Sequence, residues 1–542
     1  MSDLYQTRLK QLKKPESYSF LTHILRGIEK EGLRVTSEAT IAQTQHPQTL
    51  GSALTHSSIT TDYSEALMEF ITPAFQQIDD NIEYLCDLHS FTLGNIKDEY
   101  LWPASMPCRL AGDESIPIAQ YGDSHIGKMK YVYRQGLAHR YGRTMQSIAG
   151  IHYNFSMPEA FWPYCQQISQ DKGDLQAFKS QRYFDQIRNF RRHSWLLIYL
   201  FGASPALDKS FMHKEPHQLK QLSNNTLGLP FATSLRMSDL GYQSKAQASL
   251  NISYNTLDSY IKGIVQAIHQ RHDDYEKIGV KPNGNYRQLN ANILQIENEY
   301  YSEIRPKRVT HSGEKPVEAL RKRGVEYVEV RILDTNPLLP VGIDAEQIRF
   351  LDAFMLYCLL SESPELSLKE YEEIQYNQQQ VALEGRNPSL MLKKNDQPIA
   401  FALVAKKLLD DISPIADLFD QAHNAKYVDL SPKKQSSYAH ALNAQRDKVA
   451  DSELTPSGII MQEIVKGNNF AESMLNQAKK HQDYFISRGV SDDINMGLKR
   501  LAKESFELQQ AIEADDKNSF DDFLNHYNGS YSGESEPIWD AC

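Results

Sequence analysis

Two glutamates, Glu29 and Glu31, stand two residues apart in the segment GIEKEGLRV. Side chains alternate between faces along a β-strand, so both carboxylates would point the same way. Like charges on one face repel each other, which is tolerable in water but costly on a buried face unless cations compensate. The spacing leaves two interpretations open, a solvated sheet surface or the wall of a cation site.

Other segments with strand-like alternation carry polar residues that would share a face. These residues are Asp62, Glu69, His152, Asn154, Glu329 and Arg331. For any one strand, the solvated side of an antiparallel sheet is the favoured interpretation. Several facing carboxylates gathered with a histidine would be costly, however, unless divalent cations neutralised them. Oxygen ligands with a single imidazole suit Mg²⁺ or Mn²⁺ better than Zn²⁺, so the combined set indicates a magnesium site.

The elements that would position these residues are predicted from periodicity and composition. Strands are predicted at 27–35, 66–74, 150–157, 248–255, 292–306 and 325–335. One face of the fifth predicted strand would include Gln295, Glu297, Glu299 and Tyr301. Helices are predicted at 78–96 and 174–202, without regular helical crossovers between the strands. This order favours an α+β fold with a mainly antiparallel six-stranded sheet surrounded by helices.

The second part of the chain has a different sequence pattern. Beyond about residue 342 the pattern is almost entirely helical, with apolar residues at helical spacing. The end of the chain is polar and acidic, which predicts fraying or disorder there. We therefore expect a catalytic core at residues 1–345 and a helical region, packed on that core, at residues 346–542.

Composition excludes several classes of protein. The 542 residues have a formal net charge of −11, which argues against binding to nucleic acid or to an anionic membrane. The five cysteines form no CxxC pair, which is typical of a reduced cytosolic protein. The first residues are polar and lack the apolar stretch of a signal peptide, and the most apolar windows are too short to span a bilayer. We expect a cytoplasmic protein.

Nucleotide binding leaves no ordinary signature in this sequence. Neither GxxxxGK[ST] nor a GxGxxG that follows a strand occurs. The phosphates of a bound nucleotide would therefore be held by metal ions and arginines. Suitable cations stand in the segments 131–142, 231–242, 300–309 and 328–331, although each basic cluster taken alone is more typical of a solvated surface.

An ordered series of segments resembles one enzyme family. The segments are GIEKEGLRV, ALTHSSITTDYSEALMEFITP, MKYVYRQGLAHRYG, MQSIAGIHYNFSMP, LFGASPA, FATSLRMSDLGY, LQIENEYYSEIRPKR and VEYVEVRILDTNP. In this order they resemble glutamate–cysteine ligase of the proteobacterial type, over most of residues 20–360. The resemblance implies a curved antiparallel sheet that forms a funnel, similar to the catalytic core of glutamine synthetase.

The resemblance also implies roles for individual residues. The implied ligands of Mg²⁺ are Glu29, Glu31, Asp62, Glu69, His152 and Glu329. The implied cations at the transferred phosphoryl group or the glutamate carboxylate are Arg236 and Arg331. The implied residues of the cysteine pocket are Tyr133, Gln146, Tyr242 and Tyr301, with Arg134 and Asn154 as adjacent substrate-binding candidates.

The implied activity is ATP-dependent ligation of the γ-carboxylate of L-glutamate to the amino group of L-cysteine, the first step of glutathione synthesis. The resemblance further implies inhibition by glutathione and a monomeric enzyme. Three alternatives stay open: a ligase on the same scaffold with another amine acceptor, a metal-dependent nucleotide-binding regulator, and a structural or interaction protein. Relatives can carry a disulfide between the loops around Cys108 and Cys165, but Cys165 stands about one residue out of register, so no bond is assigned.

Overall fold

The main sheet confirms the α+β prediction. The computed structural model describes residues 3–212, 217–240, 247, 250, 252–311, 314–426 and 437–529. Its main sheet is antiparallel and open, with the strand order β2-β3-β1-β5-β10-β9, and β4 pairs with the end of β1. These strands are β1 (Leu25–Val35), β2 (Ile59–Thr61), β3 (Leu67–Ile71), β4 (Tyr100–Leu101), β5 (Ile151–Ser156), β9 (Ile304–Lys307) and β10 (Tyr327–Leu333).

Two smaller sheets lie outside this one. They are a three-stranded sheet of β6 (Ala206–Asp208), β7 (Lys220–Ser223) and β8 (Thr226–Gly228), and a hairpin of β11 (Met391–Lys394) and β12 (Gln397–Ala400). The hairpin interrupts the region predicted to be almost entirely helical. Its two turn residues, Asn395 and Asp396, both have positive φ, which is the backbone of the tight turns that favour hairpins.

Helices surround the main sheet. They are α1 (Asp3–Leu12), α2 (Tyr18–Thr22), α3 (Ile78–Asn95), α4 (His125–Tyr141), α5 (Phe161–Ile168), α6 (Leu175–Phe201), α7 (Leu257–His269), α8 (Asp273–Ile278), α9 (Pro316–Arg323), α10 (Ala345–Leu360), α11 (Leu368–Glu384), α12 (Phe401–Lys426), α13 (Tyr438–Ala450), α14 (Pro456–Val465), α15 (Phe470–Arg488), α16 (Asp492–Asp515) and α17 (Phe520–Gly529). The end of the chain is helical as far as residue 529, and residues 530–542, where fraying was predicted, lie outside the described residues. None of the described helices is long and apolar enough to cross a bilayer.

Two of the predicted strands are wrong. In the segment 248–255, the residues that the structure describes form no strand, and in the segment 292–306 only the end joins the sheet, as β9. Glu299 accepts hydrogen bonds from Gln295 N at 2.6 Å and from the Tyr141 hydroxyl at 2.7 Å. The first bond closes a local turn and the second ties that turn to α4, so the polar residues of the segment do not alternate across a strand. The short strand β2, which was not predicted, occupies the opposite edge of the sheet.

The rear face of the sheet forms the main core. Arg26, Ile28 and Lys30 are buried on β1, where α3 packs, and α6 packs against β9 and β10. Lys30 places its Nζ 2.8 Å from His89 Nε2, and burial lowers the pKa of Lys30 to about 7. Because alternate residues of β1 are committed to this core, the intervening residues must face the opposite side of the sheet.

A buried ion pair ties this sheet to the helical region. The Arg26 guanidinium lies 2.7 Å from the Asp352 carboxylate on α10, and both side chains are excluded from solvent. Tyr153 on β5 and Tyr438 on α13 donate hydroxyl hydrogen bonds to the same carboxylate. The Arg26 guanidinium also donates to two backbone carbonyls, those of Ile24 and Gln76. The network is satisfied on all sides, as a stable buried ion pair requires.

The described cysteines are free thiols. Cys86, Cys108 and Cys358 are buried, and Cys165 is half-buried. Burial raises the pKa of Cys108, so this thiol resists ionisation and oxidation. Cys108 and Cys165 are not bonded to each other, while Cys542 lies outside the described residues.

The ion pair gives a stability prediction. We expect Asp352→Asn to lower the free energy of unfolding by about 3–5 kcal/mol, because it leaves the Arg26 charge buried without its anion. Asp410→Asn is the control, because Asp410 forms an exposed pair with Arg446 at 2.9 Å and should contribute less than about 1 kcal/mol. Urea unfolding followed by circular dichroism measures both changes. Equal, small losses would show that the buried pair does not anchor the sheet.

Candidate active site

A large cavity lies over the front face of the main sheet. Its volume is about 1050 Å³, and its walls come from β1, β2, β3, β5, β9 and β10, from α4 and from the segment 296–301. All predicted site residues except Asn154 and Tyr242 line it. Asn154 contacts a lining residue, since its amide nitrogen donates to Glu29 Oε1 at 2.9 Å. Tyr242 lies outside the described residues.

Strand register brings the acidic residues together. Glu31 on β1 stands directly opposite Glu69 on β3, and Glu29 stands opposite His152 on β5. Glu329 on β10 stands opposite Asn154, one alternation away from His152. The period-two spacing that suggested a shared face is therefore confirmed in all four strands.

Two groups of ligand atoms share one histidine. Glu29, His152 and Glu329 form one group and Glu31, Glu69 and His152 form the other, and the ligand atoms within each group lie within 4.8 Å of one another. His152 Nδ1 lies 3.0 Å from Glu29 and 3.8 Å from Glu329, while its Nε2 lies 3.8 Å from Glu31. Asp62 belongs to neither group, although its side chain also lines the cavity.

Electrostatics divides the carboxylates into two kinds. Burial, together with the negative charges of Glu29, Asp62 and Glu31, raises the pKa of Glu69 well above its ordinary value. Burial and Asp62 likewise raise the pKa of Glu31.

The other carboxylates are compensated by cations. Burial raises the pKa of Glu329, but Lys307 at 3.4 Å and Arg331 at 3.3 Å outweigh it and hold that pKa below the ordinary value. For Glu29, burial is outweighed by His152, so its pKa is also lowered. Neighbouring positive charge therefore outweighs burial at Glu29 and Glu329, but not at Glu31 and Glu69.

The donor set fits divalent cations. Hard cations such as Mg²⁺ prefer carboxylate oxygens, and a single imidazole is compatible with Mn²⁺ as well. The second carboxylate oxygen of Glu329 is buried and has no hydrogen-bond partner among the described residues. A buried acceptor of this kind, facing a cluster of carboxylates, needs a cation or a donor that the described side chains do not supply.

Two arginines stand beside the acidic cluster. Arg236 donates to the backbone carbonyl of Arg331 at 2.9 Å and lies 3.6 Å from Asp334. A side chain at Gly150 would place its Cβ 2.2 Å from the Arg236 guanidinium, so any larger residue there would displace this guanidinium from its present position. Arg331 follows Val330, where a register shift interrupts the pairing of β10 with β5, and its Nε has no partner among the described residues. Irregularities of this type re-aim side chains beside active sites.

The cavity wall also contains tyrosines and a glutamine. Tyr133 and Gln146 line it, together with Tyr301, whose hydroxyl lies 3.4 Å from Met237 Sδ. The Gln146 amide is 1% exposed, and neither its nitrogen nor its oxygen has a partner in the described part of the chain. Such an amide can donate to one ligand atom and accept from another.

Several cavity cations were not named individually as site residues. Arg140, Arg305 and Lys307 stand in the segments 131–142 and 300–309 that offered cations for a bound nucleotide, whereas Lys130 lies just outside them. Arg305 and Lys307 occupy alternate positions of β9 within the segment IRPKR, so the period-two argument applied to the glutamates would have found them. Lys130 lies one helical turn before Tyr133, and helical spacing would have found it.

Comparisons with known proteins agree with the geometry. The sequence model of the family described as glutamate-cysteine ligase matches residues 9–381. The glutamate–cysteine ligase of Pseudomonas aeruginosa is 49% identical over 534 residues, which cover 98% of this chain and 99% of that protein. That of Azotobacter vinelandii is 49% identical over 538 residues, which cover 98% of this chain and 100% of that protein.

Solved structures extend the comparison to the fold. The glutamate–cysteine ligase of Francisella tularensis, solved in complex with AMP, superposes with a TM-score of 0.87 at 39% identity and covers 94% of this chain and 98% of its own. A bifunctional glutathione synthetase from Pasteurella multocida shares the fold, with a TM-score of 0.69 at 22% identity over 90% of this chain and 55% of its own. With the family model and the bacterial relatives in agreement along nearly the whole sequence, the chain belongs to the glutamate–cysteine ligase family.

Proposed function

We propose that this cavity joins the γ-carboxylate of L-glutamate to the amino group of L-cysteine at the expense of ATP. The observation that carries the proposal is one cavity holding a carboxylate–histidine cluster, a pair of arginines and a small polar pocket. Nucleotide use is supported by the AMP complex of the Francisella relative. Ligase activity is supported by the names of the bacterial relatives.

The reaction needs no nucleophile from the protein. The γ-carboxylate of glutamate attacks the γ-phosphorus of ATP, the bond to the β,γ-bridging oxygen breaks, and ADP leaves. The neutral amine of cysteine then attacks the carbonyl carbon of γ-glutamyl phosphate, phosphate leaves, and the amine loses one proton. The work of the enzyme is positioning and charge neutralisation, in agreement with a cavity rich in charged groups.

The charged residues divide this work. Glu29, Glu31, Glu69, His152 and Glu329 would hold Mg²⁺ or Mn²⁺, and Asp62 can join them from the cavity wall. When bound, such ions neutralise the phosphate charges that these carboxylates would otherwise repel.

Arg236 and Arg331 hold the transferred phosphoryl group or the glutamate carboxylate. Both residues line the same cavity, and a guanidinium offers a planar fork of donors that matches phosphate and carboxylate oxygens. Asn154, whose amide holds Glu29, positions the metal side of the site.

Cysteine occupies the pocket of Tyr133, Gln146 and Tyr301, and Tyr242 is assigned to the same pocket. A thiol is a weak hydrogen-bond partner, so shape and polarisable aromatic contacts must supply its recognition.

The proposal takes residues 1–345 as the catalytic core and 346–542 as the helical region, in a cytoplasmic monomer. Glutathione contains the γ-glutamylcysteine group of the product and is proposed to inhibit by occupying this cavity.

Loss of one acidic residue tests the metal assignment. We expect Glu29→Gln to lower turnover at least about 100-fold at an ordinary magnesium concentration. Loss of a residue that only supports a metal ligand already lowers activity or metal affinity by up to that factor. Thermal unfolding should stay close to that of the parent protein. The rate of ADP release with glutamate and cysteine, each omitted in turn, measures the loss of turnover. Replacing cysteine by ammonium tests whether the enzyme uses a different amine acceptor. Turnover near that of the exposed control Glu463→Gln would contradict the assignment.

The unpartnered amide tests the acceptor pocket. We expect Gln146→Ala to raise the KM for cysteine about tenfold, the effect of losing one buried hydrogen bond, with little change in the KM for ATP. Gln445→Ala is the matched control, because Gln445 is buried in α13, away from the cavity. Steady-state kinetics with each substrate varied gives both constants. Equal changes in the two KM values would remove Gln146 from the cysteine pocket.

The raised pKa of Glu69 gives a stability prediction with a definite sign. The unfolded chain loses this proton near the ordinary pKa of 4.5, whereas the metal-free folded protein loses it only at higher pH. The stability of the metal-free protein should therefore fall as pH rises between these two values. Glu69→Gln removes the repulsion, so it should raise the unfolding temperature in EDTA at neutral pH and weaken the stabilisation by added Mg²⁺.

Thermal unfolding from about pH 5 to about pH 8, in EDTA and in Mg²⁺, measures both effects. The exposed Glu83→Gln variant is the control. Identical pH profiles for Glu69→Gln and the parent protein would show that the carboxylates do not repel one another in the folded state.

A further inference from the structure

One face of α4 is directed into the cavity. Lys130, Tyr133, Arg134 and Leu137 all line it, at the spacing i, i+3, i+4 and i+7 of a single helical face. Two of these residues are cations, and the structure gives them different surroundings.

Arg134 is committed to the protein. Its Nε donates to the backbone carbonyl of Asp62 at 2.6 Å, and its terminal nitrogen donates to the carbonyl of Lys130 at 3.0 Å. Its guanidinium also stacks over Tyr121, 4.6 Å from the ring centroid. Arg134 thus fixes the chain after β2 against α4, and much of its hydrogen-bonding capacity is already used.

The Lys130 ammonium has no such commitment. Its Nζ lies 4.9 Å from the centroid of Tyr121 and forms no hydrogen bond or ion pair with any residue that the structure describes. Arg140 and Lys307, by contrast, form ion pairs with Glu299 at 3.1 Å and Glu329 at 3.4 Å, whereas Glu69 and Asp62 act on Lys130 only from beyond ion-pair distance. A half-buried ammonium without hydrogen-bond acceptors is costly unless a ligand supplies them.

The substrates supply such acceptors. Glutamate and cysteine each carry an α-carboxylate that takes no part in bond formation, and each must leave water to enter the cavity. We propose that Lys130 binds the α-carboxylate of one of these amino-acid substrates. This assignment rests on the proposed ligase function and adds a residue to its substrate site.

Lys128 offers a matched control on the same helix. Its Nζ also lies 4.9 Å from an aromatic centroid, that of Phe520, but it is exposed and does not line the cavity. Lys128→Met and Lys130→Met remove the same charge and the same type of aromatic contact. A structural role would therefore affect both variants alike, whereas a substrate role affects Lys130 alone.

The test compares substrates with analogues that lack the α-carboxylate. Cysteamine competes with cysteine, and 4-aminobutyrate competes with glutamate. We expect Lys130→Met to raise the KM of one amino acid about 10- to 100-fold, the effect of losing a charged hydrogen bond, and to leave the inhibition constant of its analogue unchanged. Lys130→Arg should recover part of the affinity, and Lys130→Gln repeats the test should the Met variant fold poorly.

The outcome also identifies the bound substrate. An increase confined to cysteine, with cysteamine unaffected, assigns Lys130 to the acceptor, and an increase confined to glutamate, with 4-aminobutyrate unaffected, assigns it to the donor. Unchanged KM values, equal changes for substrate and analogue, or a fall in kcat alone would overturn the proposal. Failure of the parent protein to form γ-glutamylcysteine in the same assay would instead overturn the proposed function.

Discussion

Glu31 and Glu69 face each other across β1 and β3, and their repulsion is the constraint on which the rest of the structure depends. Burial raises both pKa values, and neighbouring carboxylates raise them further, Asp62 for Glu31 and Glu29, Asp62 and Glu31 for Glu69. Holding these charges together costs stability in the metal-free protein. The fold keeps the two carboxylates together because the opposite face of the same strands is firmly anchored. A cation that binds to the cluster relieves the repulsion. Part of the binding free energy of the ion therefore comes from removing a destabilisation that the metal-free protein already has.

The anchor lies on the rear face of the same strand, three residues before Glu29. Arg26 on the rear of β1 pairs with Asp352, and Tyr153 on the rear of β5 donates to the same carboxylate. Because β-strands alternate strictly, holding Arg26 and Tyr153 in the core fixes the orientation of Glu29 and His152 at the front. A shift of one residue in either strand would bury the acidic cluster in the apolar core, so the rear-face network also specifies the register of the site.

Much of this organisation is visible in the sequence. Period-two spacing predicted the faces of β1, β3, β5 and β10 correctly, because each of these strands has one core face and one charged face. The same argument failed for the segment 292–306, because Glu299 accepts a local hydrogen bond from Gln295 N and a distant one from the Tyr141 hydroxyl, and alternation reveals neither. The register shift in β10 beyond Val330 arises from its pairing with β5. Register is a property of two paired strands, so the sequence of one strand alone does not specify it.

Residues beyond the family match support α4, which forms one wall of the cavity. The backbone nitrogen of His125, the first residue of α4, donates to Asp516 at 2.6 Å, and Asp521 holds Lys281 at 2.6 Å. The ring of Phe520 packs 6.0 Å from that of His125. Asp516, Phe520 and Asp521 lie beyond residue 381, where the match to the family model ends, yet the bacterial relatives align with this chain along nearly their whole length. Since α4 supplies both Tyr133 and Lys130 to the cavity, a segment that fixes the start of α4 also fixes where those side chains meet a substrate.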